Sequence, residues 1–340
     1  MLLAIVLAVA LSPCGKTAAL AASSESTEEV PRTDPMFDEV TLKFSHINAV
    51  DQAIGVACDK FAKLVNERSG GKVTIEVYPA GSLYNQEDAY DAIELGYLDM
   101  AVADVSGISD RVPAFGIYVL PFLFDSYDTM EKVVDGDIGA ALDKQLEEQM
   151  GAVALGWCWN GSRNFLSKEP IASIPDCENI LLRSGAVDIF LDTFETLKFK
   201  TVIIPWGDCF TGFQSGVCDA VETTIEALYT QGFYTIGNKL CLSRHIFSTI
   251  GPIVSHNTWN KLNDDTQQLL HDCWAECREV MNETVINAED GYIEKLKEAG
   301  CEVTKFDDPQ ALIELFTPMW YKYAEKGEYT DILDMVLALK

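Results

Sequence analysis

Two arginines stand where a folded chain ordinarily places neutral residues. Arg163 closes the stretch GWCWNGSR at 156–163, two tryptophans and a cysteine at the end of an apolar run followed by a polar turn; Arg183 follows Ile180, Leu181 and Leu182 in ILLRSG. A guanidinium keeps its charge under any working condition, and taking it out of water is expensive unless an anion meets it in good geometry. Its five N–H donors form a rigid fork that suits a carboxylate as a lysine ammonium does not. The chemistry these residues offer is anion binding. The anion is either internal or a ligand; for Arg183 the internal candidates are Asp104, Asp219 and Glu222. For Arg163 a bridge to an internal carboxylate and direct contact with a ligand both stay open.

Catalysis has less to stand on. The four histidines, His46, His245, His256 and His271, accompany no GxSxG or HExxH signature of an exported hydrolase. His46 and Asn48 fall at the end of the first predicted strand and read as rim residues. His271, Cys273 and Cys277 share a helical region but lack the second ligand pair that a metal site would need, so neither a metal nor another cofactor is expected. The nine cysteines beyond Cys14 contain no CxxC pair, and most read as small buried hydrophobes. With 25 Lys+Arg against 53 Asp+Glu, a formal net charge of −28 disfavours a nucleic-acid partner, whose phosphates the overall field would repel.

The elements that must carry these residues alternate. From Val40, VTLKFS, a helix through AIGVACDKFAKLVNERSG, VTIEVYPA, a second helix EDAYDAIELG and LDMAVADVSG give a β-α-β-α-β order, the grammar of a parallel-rich sheet covered by helices. One helix is expected through TMEKVVDGDIGAALDKQLEEQMG, before AVALGWCW ends the first lobe. A second α/β set follows, with ILLRSG, VDIFLDTFETLK, TVIIPW and CDAVETT. After TIGPIVSHNTW, Asn263-Asp264-Asp265 can cap a helix of some 35 residues, which at about 1.5 Å per residue would reach ~50 Å and brace both lobes. The predicted fold is therefore α/β and two-lobed, of the periplasmic-binding-protein kind, with a long helix spanning both lobes. Its expected parts are 39–160 plus 249–288 for lobe 1 and 161–248 plus 289–340 for lobe 2.

The start, MLLAIVLAVALSPCGK, is an apolar run too short for a stable membrane anchor and reads as an export signal over 1–21, followed by a polar tether over 22–38. It is similar to a lipoprotein box that would lipidate Cys14; cleavage after Ala19-Leu20-Ala21 is the other reading. Both place the protein outside the cytoplasm, the first with Cys14 as a lipid tether to the membrane.

The stretches GGKVTIEVYPAGSL and LGYLDMAVAD, LPFLF at 120–124, WNGSRNFLSKEPIASIPD, ILLR and PWGDCFTGFQSGVCDAVE occur in an order and spacing that resembles the DctP-type solute receptors of tripartite ATP-independent periplasmic (TRAP) transporters. The resemblance runs from about Val40 to Ile313. It implies a receptor that closes on an organic acid and delivers it to a membrane permease pair; a receptor that signals to a membrane sensor uses the same clamp. It also implies that Arg183 holds the ligand carboxylate, that Trp206 walls the ligand, that Asp104 accepts hydrogen bonds from it, and that Trp159 and Phe210 line its site. As a bare motif, Asp104 could equally cap a helix or pair with an arginine. Thr223 stands where relatives commonly carry an amide, so a C4-dicarboxylate is not the expected ligand. Trp157, Trp159, Trp206 and Phe210 instead suggest an apolar monocarboxylate.

Overall fold

The computed structural model describes residues 35–306 and 308–340. The expected export signal over 1–21, with Cys14 as the candidate lipid-anchor residue, and the expected tether as far as residue 34 lie outside the described residues. Ten strands form one sheet: β1 (Val40–Ser45), β2 (Val73–Tyr78), β3 (Met100–Asp104), β4 (Ala152–Ala154), β5 (Cys158–Ser167), β6 (Leu181–Ser184), β7 (Lys200–Ile203), β8 (Ala220–Thr224), β9 (Lys239–Ser255) and β10 (Glu302–Thr304). The order is β2-β1-β3-β9-β5-β8-β6-β7, with β4 and β10 paired to β9. Each end is a parallel triplet, β2-β1-β3 and β8-β6-β7; the antiparallel pair β9 and β5 joins them. A strand that runs parallel to its predecessor needs a crossover, which is why helices alternate with strands in both halves of the sequence.

The helices follow their apolar spacing. Ala53–Arg68 buries Ile54, Ala57, Cys58, Phe61 and Val65, one face of a 3.6-residue period. The spanning helix is Asp264–Glu298, 35 residues long, and its Asn263 cap accepts from Thr266 N at 2.9 Å. Its buried residues divide between two apolar interiors. Leu269, Leu270, Cys273, Trp274, Cys277, Met281 and Val285 belong to the larger, and Ile293 and Leu296 to the smaller, which also holds Cys209, Phe213, Cys218 and Val221. Near the junction, Glu289 on this helix accepts from Tyr127 Oη at 3.0 Å and Ser162 Oγ at 2.8 Å and pairs with Arg244 at 3.1 Å. The architecture is thus α/β and two-lobed, with one helix running along both parts.

Several local expectations change. GWCWNGSR does not end in a turn: β5 runs on through Arg163 to Ser167. One residue too many at Asn160 against β9 makes a bulge, and Gly161 takes it up at φ +113, a conformation that L side chains rarely adopt. The helix expected across 129–151 is two, Tyr127–Val134 and Asp137–Met150, separated at Asp135 and Gly136. β9 is a 17-residue strand with its own irregularity, because Arg163 pairs with Ile246 and Phe165 with Cys241, which sets the four residues 242–245 of β9 against Asn164 alone. The closing helices, Pro309–Lys326 and Thr330–Ala338, touch elements expected in both lobes: Trp320 Nε1 donates to Pro121 O at 2.8 Å and Tyr323 Oη to Asp192 at 2.9 Å. The nine described cysteines are buried and unpaired. Among the described residues no helix is long and apolar enough to cross a membrane.

Candidate functional site

In open sheets with parallel strands, side chains at the carboxyl ends converge on the crevice outside the sheet, where no further strand residue covers them. Asp104 ends β3, Asn48 follows β1, Arg183 is the penultimate residue of β6, and Thr223 that of β8. All four line one cavity of about 320 Å³, together with Arg163, Trp206 and the bulge residue Asn160. That volume is at the lower edge of the about 300–1,000 Å³ usual for small-molecule sites.

The two arginines have different surroundings. Arg163 Nε donates to Glu222 Oε2 at 2.7 Å and Nη2 to Oε1 at 2.6 Å, a two-pronged internal bridge in which both side chains are buried. Phe190 lies against the guanidinium at 4.9 Å. Burial alone would push the Glu222 pKa up, but Arg163, with a contribution from His245, holds it down to about 2. Burial works the other way on Arg163, yet Glu222 raises its pKa above the ordinary arginine value. His245, whose Nε2 is 3.5 Å from Glu222, stacks on Phe165 at 4.5 Å, and burial lowers its pKa, so it stays neutral near pH 7. It projects from the extra residues of β9, and a bulge re-aims side chains in this way.

Arg183 has no such partner. Its Nε donates to Ile204 O at 2.8 Å, and among the described residues no carboxylate forms an ion pair with it. Nη1 and Nη2 are left to the cavity that the residue lines. Only 5% of Arg183 is exposed. Burial lowers its pKa, and Arg163 repels it further. Trp206 sits with its ring 5.6 Å from the guanidinium. A buried cation with its donor fork open is stabilised by an incoming anion, whereas Arg163 already has one.

The remaining predicted residues divide. Thr223 is buried and lines the cavity. Asp104 caps the short helix Val105–Ile108 through Oδ1, which accepts from Ser106 N at 2.9 Å; Oδ2 accepts from Ser248 Oγ at 3.3 Å. Asn48 lines the cavity, whereas His46 is buried beside it and does not. Trp159 and Phe210 are not among the lining residues. Trp159 packs in the core on Tyr127 at 5.7 Å, and Phe210 packs on Phe233 at 5.8 Å. Trp157 is buried too, with its Nε1 on Asp143 at 2.7 Å. Of the aromatic residues that suggested an apolar ligand, Trp206 alone reaches the cavity. Sequence reasoning missed Asn160, Gln52 and Phe190. Asn160-Gly161 was legible as a turn dipeptide, but the bulge that aims Asn160 comes from pairing with β9. Among the described residues no cluster of His, Cys, Asp and Glu is arranged to hold a metal ion.

A cavity at the strand ends of a two-lobed α/β fold, with one guanidinium fork left open to it, is the build of a solute-binding protein. The chain belongs to the bacterial extracellular solute-binding protein family 7 (DctP), whose family model matches residues 44–326. It is 30% identical over 300 residues to the C4-dicarboxylate-binding protein DctB of Bacillus subtilis, covering 88% of this chain and 81% of that one. Among solved structures it is similar to a TRAP periplasmic solute binding protein from a Sulfitobacter species with bound β-D-galacturonate (TM-score 0.83, 25% identity, 87% of this chain and 99% of that one). It also shares its fold with one from Sulfurospirillum deleyianum with bound succinate (TM-score 0.83, 24% identity, 89% and 100%).

Proposed function

We propose that this protein is the extracytoplasmic receptor of a TRAP-type transporter, capturing an organic acid through a carboxylate–arginine clamp at Arg183 and handing it to a membrane permease. The observation that carries the reading is the open fork of Arg183, buried and without an ion-paired carboxylate among the described residues, in a chain whose other buried cavity arginine is closed off by Glu222. The names of the relatives support the ligand class, since they include a dicarboxylate-binding protein and complexes with succinate and a sugar acid. Arg163, Trp206, Thr223, Asp104, Asn48 and Asn160 shape the site around the ligand. A ligand touching both β3 and β6 favours the conformation in which both walls meet it, so binding and lobe closure are one equilibrium. The protein acts by binding, without chemistry on the ligand.

The test is a thermal-shift screen of the mature domain against a broad organic-acid panel, with calorimetry on the hits. Arg183→Lys should weaken the best hit by about tenfold or more, because a point charge cannot reproduce the fork. Unchanged affinity would make Arg183 a structural residue and end the clamp reading.

A further inference from the structure

The cavity wall on the β1–β3 side carries the charge opposite to that of Arg183 on β6. Arg163 and Arg183 are the cations among the lining residues, and Arg163 is matched by Glu222. Glu87, Asp88 and Asp104 line the same cavity from the β1–β3 side. Glu87 is matched by Arg111 at 2.9 Å, but among the described residues no ion pair involves Asp88 or Asp104. Asp88 accepts from Asn85 Nδ2 at 2.7 Å at the exposed mouth, and Asp104, half-buried, is held by the neutral donors of Ser106 and Ser248. The cavity therefore has one cation without an ion pair at the β6 side and, at the end of β3, a carboxylate that reaches Arg163 only through its field, raising the pKa of that guanidinium without pairing with it. A second carboxylate on a ligand anchored at Arg183 would be pressed toward Asp104.

We propose that Asp104 is a specificity-determining residue, which restricts the site to acids with a single carboxylate whose far end carries hydrogen-bond donors, hydroxyl or amine. The inference rests on the reading of the cavity as an acid-binding site and narrows it. A like charge set against a wall carboxylate disfavours the wrong ligand, and this is how a site rejects a molecule that otherwise fits. Hydroxyl and ammonium groups instead donate to Asp104 Oδ2, which accepts only a long bond from Ser248 Oγ at 3.3 Å among the described residues. The amides of Asn48, Gln52 and Asn160 on the same cavity add partners for a hydroxylated chain.

The experiment is calorimetry on matched pairs of equal chain length, gluconate against glucarate and 4-hydroxybutyrate against succinate, with 4-aminobutyrate to separate an amine from a hydroxyl. The single-carboxylate member of whichever pair binds should be at least about tenfold tighter. Asp104→Asn keeps a good helix cap, so the fold is retained, and should shrink that ratio several-fold by admitting the second carboxylate. Equal binding of both members by the natural protein, or an unchanged ratio in Asp104→Asn, overturns the inference while leaving the receptor reading intact. No binding by any acid of the series or of the broad panel removes the receptor reading and the inference with it.

Discussion

Glu222 tests the account of the two arginines most directly. Its pKa lies at about 2 against an ordinary 4.5 although the side chain is fully buried, because the attraction of Arg163 outweighs the cost of burial. At about 1.4 kcal/mol per tenfold, that depression corresponds to about 3 kcal/mol of stability. The sign follows from the direction: a carboxylate whose folded-state pKa is depressed contributes fully above its unfolded value, and the contribution fades as the pH falls from 4.5 toward 2. Glu222→Gln imitates the protonated state, keeping shape and one acceptor but leaving Arg163 buried without a countercharge, so it should cost roughly 3–5 kcal/mol at pH 7. Urea unfolding of the natural protein and the variant, run side by side from pH 7 to pH 3, isolates this group from the other titrating acids by difference. The gap should be widest at neutral pH and close below 4.5. Arg163→Met combined with Glu222→Gln should recover part of the loss, since it removes the stranded cation. A cost under about 1 kcal/mol, or a gap of constant size across that range, would refute the claim that the pair silences Arg163.

Further outcomes follow from the same geometry. Trp206 is the tryptophan among the cavity residues, so ligand binding should change the intrinsic fluorescence of the natural protein, and Trp206→Phe should abolish most of that change. Gly161→Ala forces a side chain into φ +113 with its Cβ 3.2 Å from Thr224 Cβ, and chemical denaturation should record a loss of about 1–3 kcal/mol. The nine described cysteines are buried, and most have thiol pKa values raised by burial, as Cys158 and Cys209 do, the latter to about 11. An aromatic disulfide reagent should therefore leave them unmodified in the native protein and titrate them all after unfolding.

The long helices were legible because their apolar residues recur at three and four positions and their caps are local, as with Asn263 and Thr266. Arg183 was legible because a charge after three aliphatic residues contradicts a buried strand. The partner of Arg163 was not, since Glu222 lies 59 residues away and meets it only through the register that sets Phe165 opposite Glu222. β9 was read only in its apolar last part, because Ser243, Arg244 and His245 interrupt its middle, and those are the residues its irregularity sets apart. Trp157 and Trp159 misled for a related reason: composition tells that a large ring is present, but the course of the backbone into β5 and the pleat of that strand decide which side receives it, and the core received both.

The central pair of strands also explains how one residue type takes two roles in one cavity. Arg163 pairs with Thr224 on β8 and Ile246 on β9, so a carboxylate on β8 lies within reach of its fork. Arg183 lies on β6, whose contact with β8 is limited to Leu182 opposite Ala220 and whose other neighbour is β7. Its nearest acceptor is a backbone carbonyl, which cannot neutralise it. Because Glu222 balances Arg163, a ligand entering the cavity meets the field of one cation where the sequence shows two. Replacing Glu222 by Gln would therefore do more than destabilise the fold: it would offer a second unmatched guanidinium, and affinity should move toward acids with two carboxylates, opposite in sense to the filter imposed by Asp104. Calorimetry with the same matched pairs reads that shift, and a Glu222→Gln protein that keeps the natural preference would show that Arg163 does not address the ligand at all.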